Sequence, residues 1–174
     1  MADVVIRLAE PREYPDLGAL THAAYAADYP LHPGYAHTLR HPEQRAADYE
    51  PWVAEDTGTG VLVGTTSVLR PGREEGRGRV RDGELYFRLL AVSPTARRRG
   101  IGALLTRFTY GLALDRGQHT VALNSGQHMT GAHALYRGLG FTRIEDRDVR
   151  LSEDGRDFTV YTFTRPVVPA DRVA

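Results

Sequence analysis

Leu89-Leu90-Ala91-Val92-Ser93-Pro94-Thr95-Ala96-Arg97-Arg98-Arg99-Gly100-Ile101-Gly102-Ala103-Leu104-Leu105 is the stretch on which the fold turns. An apolar strand-like run stops at Ser93-Pro94, an arginine turn follows, and an apolar pattern at helical spacing begins at once with Ile101, Leu104, Leu105, Phe108 and Leu112. Gly117 is a natural stop for that helix. The first turn of a helix leaves backbone N–H groups unpaired and carries about half a positive charge, so it suits phosphate oxygens. Gly100 and Gly102 have no side chains to hold a ligand off those donors, and Arg97, Arg98 and Arg99 add forked, charged ones. Taken alone, the run fits a pyrophosphate cradle or a solvated arginine turn before an ordinary helix. Competing nucleotide patterns fit worse: a dinucleotide-type glycine triplet needs glycine where Leu105 stands, and a Walker A loop needs a lysine.

Outward from this stretch, strands and helices alternate. Residues 4–8 are a β-branched strand and Glu10-Pro11 opens a helix, which runs past Leu17, Leu20, Thr21 and Ala24 and ends at Tyr29-Pro30. Residues 25–41, rich in tyrosine, histidine and proline, predict loop and short helix, with a second short helix over 40–49. The runs 52–55 and 61–69 flank the glycine-rich turn 56–60 and predict a hairpin. Residues 70–82 have almost nothing to bury and predict an exposed loop, in which the alternation Arg77, Arg79, Arg81 lies beside Glu74, Glu75 and Asp82. A strand over 84–92, the helix 100–116, a buried strand 119–124, a helix 130–139 and strands 141–144 and 158–163 follow. These predict a mixed α/β (α+β) single domain over 1–166, with a central, mostly antiparallel sheet flanked by helices and a loose tail over 167–174.

Composition narrows the chemistry. Of 174 residues, 22 are basic and 22 acidic; no lysine and no cysteine occurs. The missing cysteine excludes a thiolate nucleophile, disulfides and cysteine-ligated zinc or iron-sulfur clusters; the missing lysine excludes Schiff-base chemistry. Zero formal charge gives no global pull toward nucleic acid or anionic lipid, and no apolar stretch approaches the roughly 20 residues of a membrane span. A cytoplasmic protein with no nucleic-acid or membrane partner is expected. His37 and His41 stand at i, i+4, but Pro42 follows and no HExxH surrounds them, so no metal is expected.

At Arg97-Arg98-Arg99-Gly100-Ile101-Gly102, behind Leu90-Ala91-Val92-Ser93-Pro94, the chain resembles the GNAT superfamily of acyl-CoA-dependent N-acyltransferases. Its signature is Gln or Arg, two residues, Gly, one residue, then Gly or Ala, after a strand ending in a Val-x-Pro type turn. Leu135-Tyr136-Arg137-Gly138-Leu139-Gly140-Phe141 matches a second feature of that family in the expected order, and the resemblance extends over about residues 4–165. It implies a GNAT-like sheet splayed between the strands 84–92 and 119–124, with acetyl-CoA wedged there as acyl donor. The pantetheine arm is implied to pair with Leu90, Ala91 and Val92. The pyrophosphate is implied to meet Arg97, Arg98, Arg99, Gly100, Ile101, Gly102 and Ala103. Asn124 looks like the polar residue that family members turn toward pantetheine; a strand-end cap is the alternative.

The resemblance also makes Tyr136 the acid that protonates the departing thiolate, since a phenol with a pKa of about 10 keeps its proton at neutral pH. A core tyrosine beneath Phe141 is the other reading. An alkylammonium must lose a proton before it attacks. Glu84, Tyr86 and Arg88 share one strand face, which makes Glu84, or a water, the candidate base; some family members carry it where this chain has Tyr86. Glu84 also fits a plain strand-start carboxylate. Tyr25, Tyr29 and Tyr86 are candidate acceptor-binding residues, with His32, Tyr35 and His37 near the first two in sequence; a half-buried irregular loop is the alternative. The expected activity is direct acetyl transfer to a primary amine of a small molecule. Acetylation of a protein or peptide N-terminus and a non-catalytic acyl-CoA sensor are the rival readings. Homodimers are common among similar proteins and one is a candidate partner here.

Overall fold

The computed structural model describes residues 3–75, 79–153 and 155–169. Two compact units divide the chain: Met1–Arg73 with Leu89–Leu105, and Glu74–Arg88 with Thr106–Ala174. The divisions fall inside two elements, the strand β4 (Glu84–Val92) and the helix α3 (Ile101–Asp115).

In the first unit, β1 (Val4–Leu8), β2 (Tyr49–Asp56) and β3 (Leu62–Leu69) pair antiparallel in chain order, and β3 neighbours the end of β4. The glycine-rich turn closes the expected hairpin, with a register shift at Ala54/Glu55. Helix α1 (Tyr14–Ala26) places Leu20 and Ala24 against Ala91. A second core joins Ala54, Val63, Ala96, Ile101 and Leu105, with Leu90 and Val92 packed on it. Gly64 is the residue that lets β3 and the first turns of α3 meet. A Cβ there would lie 2.8 Å from Ile101 Cγ2 and 3.2 Å from the Ala91 carbonyl oxygen, so any side chain would push the helix away. Residues 33–40 form α2 (Pro33–Arg40), begun by Pro33 and capped by His32 Nδ1, which accepts from the Gly34 amide at 3.3 Å. Where a helix over 40–49 was expected, the chain makes only a 3₁₀ turn (Pro42–Arg45) before β2 starts at Tyr49. Pro42 lacks the N–H that a continued helix would use.

In the second unit, the first half of β4 pairs parallel with β5 (Thr120–Gly126). β8 (Arg156–Pro166) then pairs antiparallel with β5, β6 (Thr142–Arg143) and β7 (Val149–Glu153). The β7–β8 hairpin lies outside the sequence expectation, which placed a single last strand over 158–163. Gly155, just before β8, has φ +75°, a left-handed conformation that glycine adopts freely. Helix α4 (Thr130–Gly138) supplies Tyr136 to an aromatic core with Phe87, Phe141 and Phe163. The mixed α/β class and the predominance of antiparallel pairing are as expected. Residues 170–174 of the expected tail, and Arg77, lie outside the described residues.

Candidate active site

Residues 93–103 carry the chain from β4 through the arginine turn into α3. The Ser93 amide donates to the Val63 carbonyl at 2.9 Å, which fixes where β4 ends, and a 3₁₀ turn (Pro94–Ala96) buries Ala96. Arg98 (φ +66°) and Gly100 (φ +77°) then take left-handed conformations. These positive φ values turn the backbone sharply between β4 and α3. The first α-helical bond runs from the Leu104 amide to the Gly100 carbonyl at 2.9 Å, so the amides of residues 101–103 form the opening turn. A Cβ on Gly100 would meet nothing within 4 Å, so the backbone is approachable there.

The three arginines divide their work. Arg97 donates to both carboxylate oxygens of Asp28 at 2.8 Å and to the Ala24 carbonyl at 3.1 Å, tying the turn to the end of α1. Arg99 donates to Asp56 at 2.6 Å, tying it to the β2–β3 turn. Arg98 is exposed and has no ion pair among the described residues. Two arginines expected at the pyrophosphate are thus engaged in holding the turn, while Arg98 keeps an exposed side chain.

The β4–β5 ladder ends at Phe87↔Leu123, although β5 stays paired with β8 as far as Gly126 and β4 continues to Val92. Leu89, with φ +55°, interrupts β4 just past the last pair. A left-handed leucine is a costly conformation, and it breaks the simple alternation of faces beyond Arg88.

A continuous hydrogen-bond circuit surrounds Tyr86. Its hydroxyl donates to Asn124 Oδ1 at 3.1 Å, Asn124 Nδ2 donates to Thr162 Oγ1 at 2.8 Å, and Thr162 Oγ1 donates to the Arg147 carbonyl at 2.6 Å. Arg147 closes the loop on Glu84, at 2.7 Å to Oε1 and 2.8 Å to Oε2, and also donates to the Arg79 carbonyl at 2.9 Å. Burial pushes the Tyr86 phenol up to about 12. Burial also pushes the Glu84 carboxyl upward, but the Arg147 guanidinium and the Arg81 amide outweigh it and hold it below the ordinary carboxylate range. These contacts weigh against Glu84 as the base. A base needs an accessible lone pair and an affinity for protons, whereas both oxygens here are engaged by one guanidinium and the ionised form is stabilised. Asn124, expected at the pantetheine, has its side-chain oxygen on Tyr86 and its nitrogen on Thr162.

Tyr136 is 5% exposed and packs against Phe87 and Phe141 at ring separations of 6.2 and 6.0 Å. Tyr25 draws Tyr29 and Tyr35 together, with ring centroids 6.3 and 6.1 Å from its own, and burial raises the Tyr29 phenol above its ordinary value. His32 caps α2, and His37 stacks on His41 at 4.1 Å. No group of three or more potential metal ligands occurs among the described residues.

A sequence profile described as "Acetyltransferase (GNAT) family" matches residues 15–141. The chain belongs to the GNAT acetyltransferase family. GNAT members are acyl-CoA-dependent N-acetyltransferases, and this GNAT chain is one of them. A search of curated protein sequences returns no significant match. Among solved structures, the fold is similar to the ribosomal-protein-S18-alanine N-acetyltransferase of Escherichia coli, with 20% identity, 94% of each chain covered and a TM-score of 0.68. A Salmonella typhimurium protein solved with its cofactor acetyl-CoA shares 19% identity over 95% of each chain, with a TM-score of 0.64. The spermidine N-acetyltransferase of Vibrio cholerae, solved with CoA and spermine, shares 14% over 96% of this chain and 97% of that one, with a TM-score of 0.67.

At this GNAT turn, left-handed Arg98 and Gly100, the open space over Gly100 and the exposed Arg98 leave room for the diphosphate of acetyl-CoA. Arg147 and Thr162 escaped the sequence reading. Arg147 lies 63 residues from Glu84, and no local pattern links a carboxylate at a strand start to a guanidinium so far along the chain.

Proposed function

We propose that the chain transfers an acetyl group from acetyl-CoA directly to a primary amine of a small molecule, in the cytoplasm. The observation that supports this reading is the pair of left-handed residues, Arg98 and Gly100, just ahead of α3. Acetyl-CoA supplies a thioester carbonyl for the amine to attack. In this reading the amides of residues 98–103 and Arg98 hold the diphosphate, and the backbone of Leu90, Ala91 and Val92 aligns the pantetheine arm. Tyr136 gives its phenolic proton to the departing sulfur. Tyr86, whose own proton is committed to Asn124, offers its oxygen to an amine N–H, and water accepts the proton that nitrogen loses. Glu84 acts through Arg147 as a positioning residue, because the pair anchors the circuit that orients Asn124 and Tyr86. Tyr25 and Tyr29 offer an aromatic wall of the size of a small amine's carbon skeleton.

The test is calorimetric titration of acetyl-CoA, followed by thiol release with a panel of small amines and short peptides. Saturable binding with release on small amines supports the reading. Release on peptides alone assigns the protein N-terminal reading, and binding without release assigns the sensor. Sedimentation of the full chain decides the expected homodimer.

A further inference from the structure

We propose that His133 is a positioning residue for Tyr136: its imidazole latches α4 to the end of β5, and the latch sets where the phenol meets the departing sulfur. The proposal rests on the acetyltransferase reading above, with Tyr136 as its acid, and adds a buried residue that the reading does not use. Of the nine residues of α4, only His133 and Tyr136 are buried. They stand three residues apart, about 4.5 Å along the axis and about 60° round it, so they share one face of the helix. The seat of α4 is therefore fixed at two points, and a shift at one moves the other.

At Tyr136 the ring contacts are with Phe87, Phe141 and Phe163, which fill space without fixing a direction. His133 supplies the direction. A carbonyl can only accept, so Nε2 carries the proton and donates to the Gly126 oxygen at 3.0 Å. The same oxygen accepts from the Met129 amide at 2.9 Å, so the turn from β5 into α4 is closed at one atom. The imidazole packs on Tyr161 and Phe163 at ring separations of 5.4 and 5.2 Å, and Phe163 is also a neighbour of Tyr136 at 5.9 Å. An alkyl side chain would fill such an aromatic slot without burying a polar group, so the histidine is explained by the bond it makes. Its surroundings keep it neutral. Burial pushes the imidazole down, and Arg137 on α4 and Arg143 on β6 act the same way against the upward pull of the Gly126 carbonyl. Asp148 does not offset them, because it accepts from Arg143 at 3.0 Å and from the Thr162 amide at 2.9 Å. The other titratable groups nearby are Tyr161, under the Arg143 guanidinium, and His128, which bonds Gln127. A second proton, on Nδ1, would put a cation in an aromatic slot in the first turn of a helix, where the helix dipole also opposes it. The ring is then drawn toward water and the latch opens.

The experiment measures kcat and the KM of acetyl-CoA for full-length protein on one amine that the wild type acetylates, from pH 7.5 to 5 and below the melting temperature of each variant. His133→Leu should lower kcat by about 10–100-fold at pH 7.5 and leave the KM of acetyl-CoA within about twofold, since a misplacement of about 1 Å at a reacting group is enough for that loss. His133→Gln keeps an N–H donor and should recover most of it. Its kcat should also fall less than that of the wild type between pH 6.5 and 5, because it has no proton to take up. In the Tyr136→Phe background His133→Leu should cost less than about twofold more, because the group it positions is already gone. Wild-type kcat in His133→Leu, a full further loss in the double variant, or parallel pH profiles for the wild type and His133→Gln overturns the proposal. Should His133→Leu not fold, the pH profile of His133→Gln decides alone. A wild type that acetylates no amine, or unchanged turnover in Tyr136→Phe, overturns the underlying reading instead.

Discussion

Both oxygens of Glu84 are held by a single guanidinium. Removing one partner of a buried pair strands the other, at a cost of about 3–5 kcal/mol. Arg147→Met should therefore lower stability by that order in urea unfolding, and Glu84→Leu in the same chain should recover much of it. Glu84→Gln should keep the acidic limb of the kcat/KM pH profile; loss of that limb would return the base role to Glu84. Tyr136 makes the opposite prediction. Tyr136→Phe deletes a proton and hardly any contact area, so turnover should drop by about 100-fold or more while the acetyl-CoA dissociation constant stays within about twofold. Unchanged turnover would take Tyr136 out of the mechanism. None of this pairing is visible locally: Tyr136 stands out through Leu135-Tyr136 and Gly140-Phe141, whereas the link between Glu84 and Arg147 exists only after folding.

Elements show the same division between local and distant causes. The passage from β4 through the arginine turn to α3 was readable because apolar periodicity, Pro94 and the glycines all act over a few residues. Leu89 was not, since nothing in its neighbours announces a left-handed leucine in a strand. The β7–β8 hairpin hid among charges that mask the alternation Val149, Leu151. Gly64 is another case, a glycine in an apolar run whose purpose appears only where Ile101 and Ala91 crowd it. Gly64→Ala should destabilise the protein by about 1–3 kcal/mol, measured by urea denaturation, because the helix start must move or the β3 backbone must yield. A neutral effect would mean that α3 is not held by this contact.

At the scale of the whole molecule, folding stability should depend on pH in two windows. His133 is buried, donates through Nε2 to the Gly126 carbonyl at 3.0 Å and packs on Tyr161 and Phe163; burial lowers its proton affinity below the ordinary 6.5. The unfolded chain then binds the proton more readily, so stability declines as pH drops below about 6.5. Glu84 is depressed from the ordinary 4.5, so its contribution is present above that value and is lost as pH falls through the folded one. Melting temperature should fall in both windows, and His133→Leu should shrink the first, to which the lowered His22 also contributes; a flat profile from pH 7 to 5 would contradict the burial argument. Acetyl-CoA should raise the melting temperature by mass action at every pH where the fold persists.

The most direct measurement is a calorimetric titration of acetyl-CoA into the wild-type chain and into Arg98→Glu. The cradle ahead of α3 requires saturable binding to the wild type and at least about tenfold weaker binding to the variant, as expected when an attractive charge on a diphosphate is reversed. Equal dissociation constants for the two proteins, or no heat from the wild type at millimolar acetyl-CoA, would contradict it.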